Sequence, residues 1–267
     1  MLNNLTVVIR STGERTEKFC YDSIAKQVSE KNIFILRDVK PFSEAVRQNF
    51  KIGINQDKKY TLSVDADIIF TDNAISEMVE AFDKLDETYY VYKGLYYDKY
   101  LRIIRPVGAH LYRTSLLELG LSYIPVEGET LRPESFTYEK MSQLGHHNYV
   151  DNKFYGYHDF DQYYEDIYRK SFLHAKKHNN MIASIIKLWG KDIHKDLNLA
   201  VALRGISDGL IYKDIVYVDV NFFKNKSDTM FSELKLKEKN KLIISEIVPI
   251  KKDKIQRILK NIHVLDT

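Results

Sequence analysis

The sequence predicts an α/β protein built around a parallel, doubly wound sheet, and three observations carry that reading. Residues 1–85 alternate strand-like and helix-like patterns as β-α-β-α-β-α, the order that right-handed crossovers turn into a parallel sheet. The strand-like runs are continuously apolar, as expected of strands covered on both faces. The chain, at 267 residues with 44% hydrophobic and 29% charged side chains, is long enough and ordinary enough in composition to bury a sizeable core.

The first strand is L-T-V-V-I-R, ending at Arg10, and Ser11, Thr12 and Gly13 make the turn after it. Ser11 and Glu14 have the spacing of a capping box, so a helix is expected to start there, with Cys20, Ile24 and Val28 on its buried side. N-I-F-I-L-R-D is the second strand and places Asp38 at its carboxyl edge. Behind Pro41, a good first-turn residue, Phe42, Val46, Phe50 and Ile54 recur at helical spacing. The third strand begins Y-T-L-S-V, and Thr71 or Asp72 can cap the helix whose apolar face is Ile75, Met78, Val79, Phe82 and Leu85.

The rhythm changes at Tyr89. Residues 89–105 are rich in tyrosine and β-branched residues with no helical pattern between them, so a hairpin or meander is expected. Its tyrosines suit either a cross-strand aromatic ladder or a stacking platform for a sugar or base. A further strand and short helix are expected in 108–117, a long active-site loop in 120–150, and mostly helix in 157–190. G-Y-H-D-F-D-Q is read as opening that helix, which puts His158, Asp159 and Asp161 at its N-terminus, where carboxylates are favoured electrostatically. Another helix follows near Leu197 and Ile206. Residues 215–220 have strand character, and 251–261 read as a basic terminal helix.

The chemistry-bearing motif is Y-T-L-S-V-D-A-D-I-I-F. Asp65 and Asp67 are two apart, so both point to one side of an extended segment, at the carboxyl end where open α/β sheets form ligand crevices. Two hard oxygen donors there suit Mn²⁺ or Mg²⁺; the alternative is a pair of solvated turn acids. His174 and His178, four apart on one helix, are either a further metal-ligand pair or surface histidines, and His110, His146 and His147 are not assigned. Walker, G-x-G-x-x-G and paired C-x-x-C patterns do not occur.

Composition removes other classes. A net charge of +3 argues against a dedicated nucleic-acid binder. The single cysteine, Cys20, rules out an internal disulfide and is expected in the core; with no secretory signal and no apolar run of membrane-spanning length, a cytoplasmic protein is expected. The segment 224–260 holds eleven Lys/Arg against five Asp/Glu. It is either a solvated basic face or a segment suited to peripheral contact with an anionic membrane surface.

The order of elements and three motifs resemble the nucleotide-diphospho-sugar transferases of GT-A fold, in particular family-2-like glycosyltransferases. L-T-V-V-I-R-S-T-G-E-R looks like their first strand and Arg-bearing loop. S-E-A-V-R-Q-N-F-K-I-G-I-N leading to L-S-V-D-A-D is similar to the helix before their metal-binding strand. H-D-F-D-Q resembles their acidic pair, with His158 replacing the first acid. The resemblance spans roughly residues 5–175. It implies a Rossmann-like, mixed and mostly parallel sheet flanked by helices, as a transferase domain over 1–215, with a strand and basic helical extension over 216–267 and a helical C-terminal region.

It further implies a metal-dependent, inverting hexosyl transfer from a nucleotide-diphosphate sugar donor to a glycan or lipid-linked acceptor, in surface glycan or polysaccharide synthesis. Arg10, Ser11, Thr12, Arg15, Asp38 and Asp65 would bind the donor, and Asp67 with Asp65 would hold the metal, His174 and His178 being a candidate third ligand. Asp159 would be the base, with Asp161 in reserve. The absence of Q-x-x-R-W and of a membrane domain points away from a chain-extruding synthase. Two readings compete: a non-catalytic relative that binds a nucleotide-sugar or a partner, and a haloacid-dehalogenase-type phosphohydrolase. The latter fits poorly because Ile69 stands where its motif carries Thr or Val.

Overall fold

The structure, a computed structural model, describes residues 2–243. The expected opening alternation is present: β1 (Leu5–Ser11), α1 (Glu17–Ala25), β2 (Ile33–Arg37), α2 (Phe42–Gln56), β3 (Tyr60–Asp65), a short β4 (Ile68–Phe70) and α3 (Ala74–Phe82). Then come β5 (Tyr89–Asp98), β6 (Ile103–Arg105), β7 (Ala109–Arg113), α4 (Leu117–Leu121), α5 (Pro133–Gln143) and β8 (His147–His158). Helices α6 (Tyr164–Lys177), α7 (Ile182–Trp189), α8 (Leu197–Ile211) and α9 (Val220–Leu234) complete the described chain.

The strands form one sheet in the order β2-β1-β3-β7-β5-β8-β4, with β6 on β5. β1, β2, β3, β5 and β8 run one way, β7 is reversed between β3 and β5, and β4 and β6 are also reversed. This is the mixed, mostly parallel arrangement expected from the sequence. Val7, Ile9, Leu62, Val64 and Leu111 face α1 and α3, packing with Cys20, Ile24, Ile75 and Met78. On the opposite face Tyr90, Val91 and Tyr112 pack with Val46 and Phe50 of α2 and with Leu117, Tyr138 and Met141. The period-two alternation of each strand therefore feeds two cores at once. The tyrosines form the internal ladder: Tyr92 stacks on Tyr149 with centroids 5.5 Å apart, and Tyr90 meets Tyr112 at 5.3 Å.

A separate helical core joins α6, α7, α8 and α9 through Phe172, Trp189, Leu199, Ile206, Phe223 and Met230. Gly205 makes it possible: a Cβ there would lie 2.4 Å from the Tyr168 carbonyl oxygen, so α8 can lie against α6 only because that side chain is absent. The contact fixes which face of α6 looks into the cleft.

Four expectations change. Helix α1 starts at Glu17 rather than at Ser11; Glu14 does accept from Ser11 Oγ (2.9 Å) and the Thr12 amide (2.8 Å), but these bonds tie a turn ahead of the helix. The expected long loop over 120–150 contains α5, opened by Pro133, and the start of β8. Residues 215–219 pair with no strand among the described residues and lead into α9, where Asp219 caps the helix by accepting from Asn221 N at 2.8 Å. His158 ends strand β8 and Asp159 sits in the bend directly after it, instead of opening α6, whose N-cap is Tyr163. The expected terminal helix at 251–261 lies outside the described residues. Among those described, no helix is long and apolar enough to cross a membrane.

Candidate active site

The carboxyl ends of β1, β2 and β3 open into a cleft of about 250 Å³. One end is lined by Ser11, Thr12, Leu36, Val39 and Phe42, the middle by Asp65, Asp67, His158 and Asp159, and the far end by α6 side chains. Strand pairing assembles the middle. β4 runs antiparallel to β8 with Ile68 opposite His158, and the Asp159 amide donates to the Asp67 carbonyl at 3.2 Å. The two residues flanking that bridge, 92 positions apart in sequence, therefore meet. Close approach depends on Gly156, where a Cβ would lie 2.3 Å from the Ile69 carbonyl oxygen. Asp159 has φ 53°, a left-handed conformation uncommon for a non-glycine residue, which turns its carboxylate back toward Asp67.

Asp67, His158 and Asp159 are all buried, and each offers a ligand atom within 4.8 Å of the others. His158 Nδ1 lies 2.9 Å from Asp98 Oδ2, leaving Nε2 turned to Asp67 Oδ1 at 3.6 Å. A carboxylate behind the imidazole is the usual way a histidine is oriented for a metal. Asp98 is itself gripped by Arg105 (2.7 and 3.0 Å). Burial alone would raise its carboxyl, but Arg105 and His158 hold it far below the usual carboxylate range.

At the centre stands Lys170 of α6, its Nζ 2.5 Å from both Asp67 Oδ2 and Asp159 Oδ1 and 3.2 Å from Gln162 Oε1. Burial opposes its charge, yet Asp159 and Asp67 outweigh this and keep it an ammonium. Asp67, against the effect of burial, is drawn down to about 2 by Lys170 and His158, while burial pushes Asp159 up. The charges at Asp67 and Asp159 thus favour a cation between them. Asp67 Oδ1 is buried without a hydrogen-bond partner. An orphaned carboxylate oxygen beside an oriented imidazole and a second carboxylate fits a divalent cation, with oxygen and nitrogen donors suiting Mn²⁺.

The other expected residues divide. Arg10 donates to Asp65 Oδ1 through Nε (3.0 Å) and Nη2 (2.7 Å), and to Glu134 at 2.9 Å. Burial disfavours its charge, but Asp65 and Glu134 reverse that and lift its pKa above the ordinary value. Asp65 lines the cleft beside Asp67 without joining the three-residue group. Ser11 and Thr12 line the same cleft. Asp38 is exposed just outside it, its amide donating to the Ser11 carbonyl at 2.9 Å. Arg15 and Asp161 are elsewhere: they pair at 2.7 Å, and Lys239 binds Asp161 at 2.9 Å, so this pair ties the C-terminal segment to the α6 start. His174 lines the far end of the cleft, and His178 stacks behind it with centroids 5.4 Å apart; neither belongs to the metal-competent group.

Sequence reasoning did not single out Lys170, Asp98, Arg105 or Glu134. Glu134 fell in the segment read as a loop, and Lys170 joins the acids through tertiary packing alone. His158 was noticed as a departure from a motif, and its spacing next to Asp159 was the one signal available.

No family model matches the sequence, and no curated protein matches it either. Solved structures that align with the chain include a mannosyltransferase, PcManGT, from Pyrobaculum calidifontis in complex with GDP-Man and Mn²⁺, at 11% identity over 86% of this chain and 80% of that one, TM-score 0.44. Another is TarS 1–349 from S. aureus, at 16% identity over 87% and 75%, TM-score 0.40. A third is a glycosyltransferase involved in glycosylation of the major capsid of PBCV-1, at 13% identity over 55% and 81%, TM-score 0.39. At these scores the functional reading rests on the chain's own topology and site.

Proposed function

We propose that this protein is a metal-dependent glycosyltransferase that moves one sugar from a nucleoside-diphosphate donor to an acceptor hydroxyl with inversion at the anomeric carbon. The observation that carries the reading is the buried Asp67, His158 and Asp159 group, with its orphaned Asp67 oxygen, at the carboxyl end of a doubly wound sheet. The nucleoside lies in the Ser11, Thr12 and Phe42 end of the cleft, and Asp65, held by Arg10, faces the ribose. Asp67 and His158 would hold Mn²⁺ or Mg²⁺, which when bound would supply positive charge to offset that on the departing diphosphate.

Asp159 takes the acceptor hydroxyl proton as the oxygen attacks the anomeric carbon and the bond to the diphosphate breaks. Its burial, which raises basicity, suits that role, and its left-handed backbone aims the carboxylate into the cleft. Lys170 keeps Asp67 and Asp159 together before the donor arrives, so no unpaired buried charges are left. We assign the transferred group as a hexosyl unit and the acceptor as a surface glycan, polysaccharide or lipid-linked glycan, with the chain acting at the cytoplasmic face.

Calorimetry with UDP, GDP and CMP, with and without Mn²⁺, tests the reading. Metal-dependent binding of one nucleotide is expected; its absence in every combination removes the transferase assignment.

A further inference from the structure

The far end of the cleft holds more positive charge than its own carboxylates neutralise. Arg105 is paired with Asp98 and Arg169 with Asp166, at 2.7 and 2.9 Å. Lys177 on α6 lines the same wall and has no ion pair among the described residues. Arg169 Nε and His174 Nδ1 are buried there without hydrogen-bond partners. Glu134, the carboxylate nearest in influence to Lys177, is already shared by Arg10 at 2.9 Å and His110 at 3.3 Å.

The sign of this mismatch is clear from how the bases respond. Burial, then Arg169 and Arg132, pull Lys177 down to about 8; burial, then Arg132 and Arg105, pull His178 to about 4. A buried cation with no partner is costly unless a ligand supplies one. Unpaired Lys177 together with the unpartnered Nε of Arg169 matches a phosphoryl group, which carries a charge of about −1.5 to −2 near neutrality. The donor's diphosphate would be accounted for at the Asp67 centre, whereas His174 and Lys177 lie one and two helical turns further along α6 than Lys170.

We propose that the Lys177, Arg169 and His174 end of the cleft is a phosphoryl-binding subsite, and that the acceptor is a phosphate-bearing molecule. The acceptor half of this rests on the transferase reading; the phosphoryl site itself does not. A phosphate anchored there positions the acceptor hydroxyl for Asp159 and excludes neutral acceptors, which would leave Lys177 unpaired.

The test is calorimetry of inorganic phosphate and of acetate on the full chain, repeated with Lys177→Gln, Lys177→Arg and Arg169→Gln. Saturable phosphate binding is expected, weakened about tenfold or more in Lys177→Gln and Arg169→Gln, kept in Lys177→Arg, and not matched by acetate. Equal phosphate binding by wild type and both Gln variants, or none by wild type, overturns the site. Adding the best-binding nucleotide with Mn²⁺ then separates the two readings. Phosphate that still binds supports the acceptor assignment, and phosphate displaced by nucleotide overturns it by returning the cations to the donor. If no nucleotide binds, the transferase reading and the acceptor assignment fall together while the phosphate titrations still decide the site. Glycerol 3-phosphate against vesicles of phosphatidylcholine with phosphatidic acid distinguishes a free phosphoester from a lipid headgroup.

Discussion

The strand end and the helix end of one cleft solve opposite electrostatic problems. At the strand end every buried charge is answered: Asp65 by Arg10, Asp98 by Arg105 and His158, Asp67 and Asp159 by Lys170. At the helix end Lys177 has no carboxylate of its own among the described residues. A matched set of charges is preorganised and can exchange one cation for another at little cost, because the dipoles are already in place. An unmatched set is a binding site for whatever carries the missing charge.

The comparison is broken most severely at Asp159. Asp159→Asn should lower turnover by about 10² to 10⁴ while donor affinity is kept, since the base acts on the acceptor; steady-state rates alongside calorimetry check it. Full activity in this variant would move the base elsewhere. Next is Asp98, whose loss strands Arg105 and unties His158. Asp98→Asn should cost about 3–5 kcal/mol of folding stability, as breaking a buried pair does, and about 10- to 100-fold in metal affinity, read by denaturant melts and Mn²⁺ titration. The sign with pH follows from the depressed carboxyl: its contribution is present above the ordinary carboxylate pKa and is lost as pH falls. The stability gap between wild type and variant should therefore narrow below about pH 4.

Smaller effects sharpen the same contrast. Lys170→Met should tighten Mn²⁺ binding several-fold by removing the resident cation; weaker binding would mean that Lys170 helps to shape the site. At the helix end Lys177 is a base whose folded pKa is depressed, so its charged form is disfavoured by the fold below about pH 8. Lys177→Met should consequently stabilise the free protein at pH 7 by about 0.5–2 kcal/mol in thermal melts, and phosphate affinity of wild type should fall as pH rises through about 8.

The first half of the fold was legible because its signals are local. Apolar runs define β1, β2 and β3, and repeats such as Val46 and Phe50 define α2, before any contact is known. Asp65 and Asp67 were legible for the same reason: a strand end is visible in sequence, and so is its acidic pair. β8 was not, because residues such as Asp151, Asn152 and Lys153 break its apolar pattern, and this hid the fact that His158 finishes a strand with Asp159 directly after it. Arg15 and Asp161 matched a motif by position, but a C-terminal residue, Lys239, claims the acid. Lys170 and Glu134 enter the site through pairings 103 and 124 residues apart, which no local pattern encodes.

The central claim is that Asp67 and His158, beside the base Asp159, form a divalent-cation site that binds the donor's diphosphate. The most direct measurement is nucleotide-diphosphate calorimetry with and without Mn²⁺, on wild type and Asp67→Asn. The account predicts binding that needs the metal in wild type and is lost in Asp67→Asn; nucleotide binding that ignores both the metal and Asp67 would contradict it.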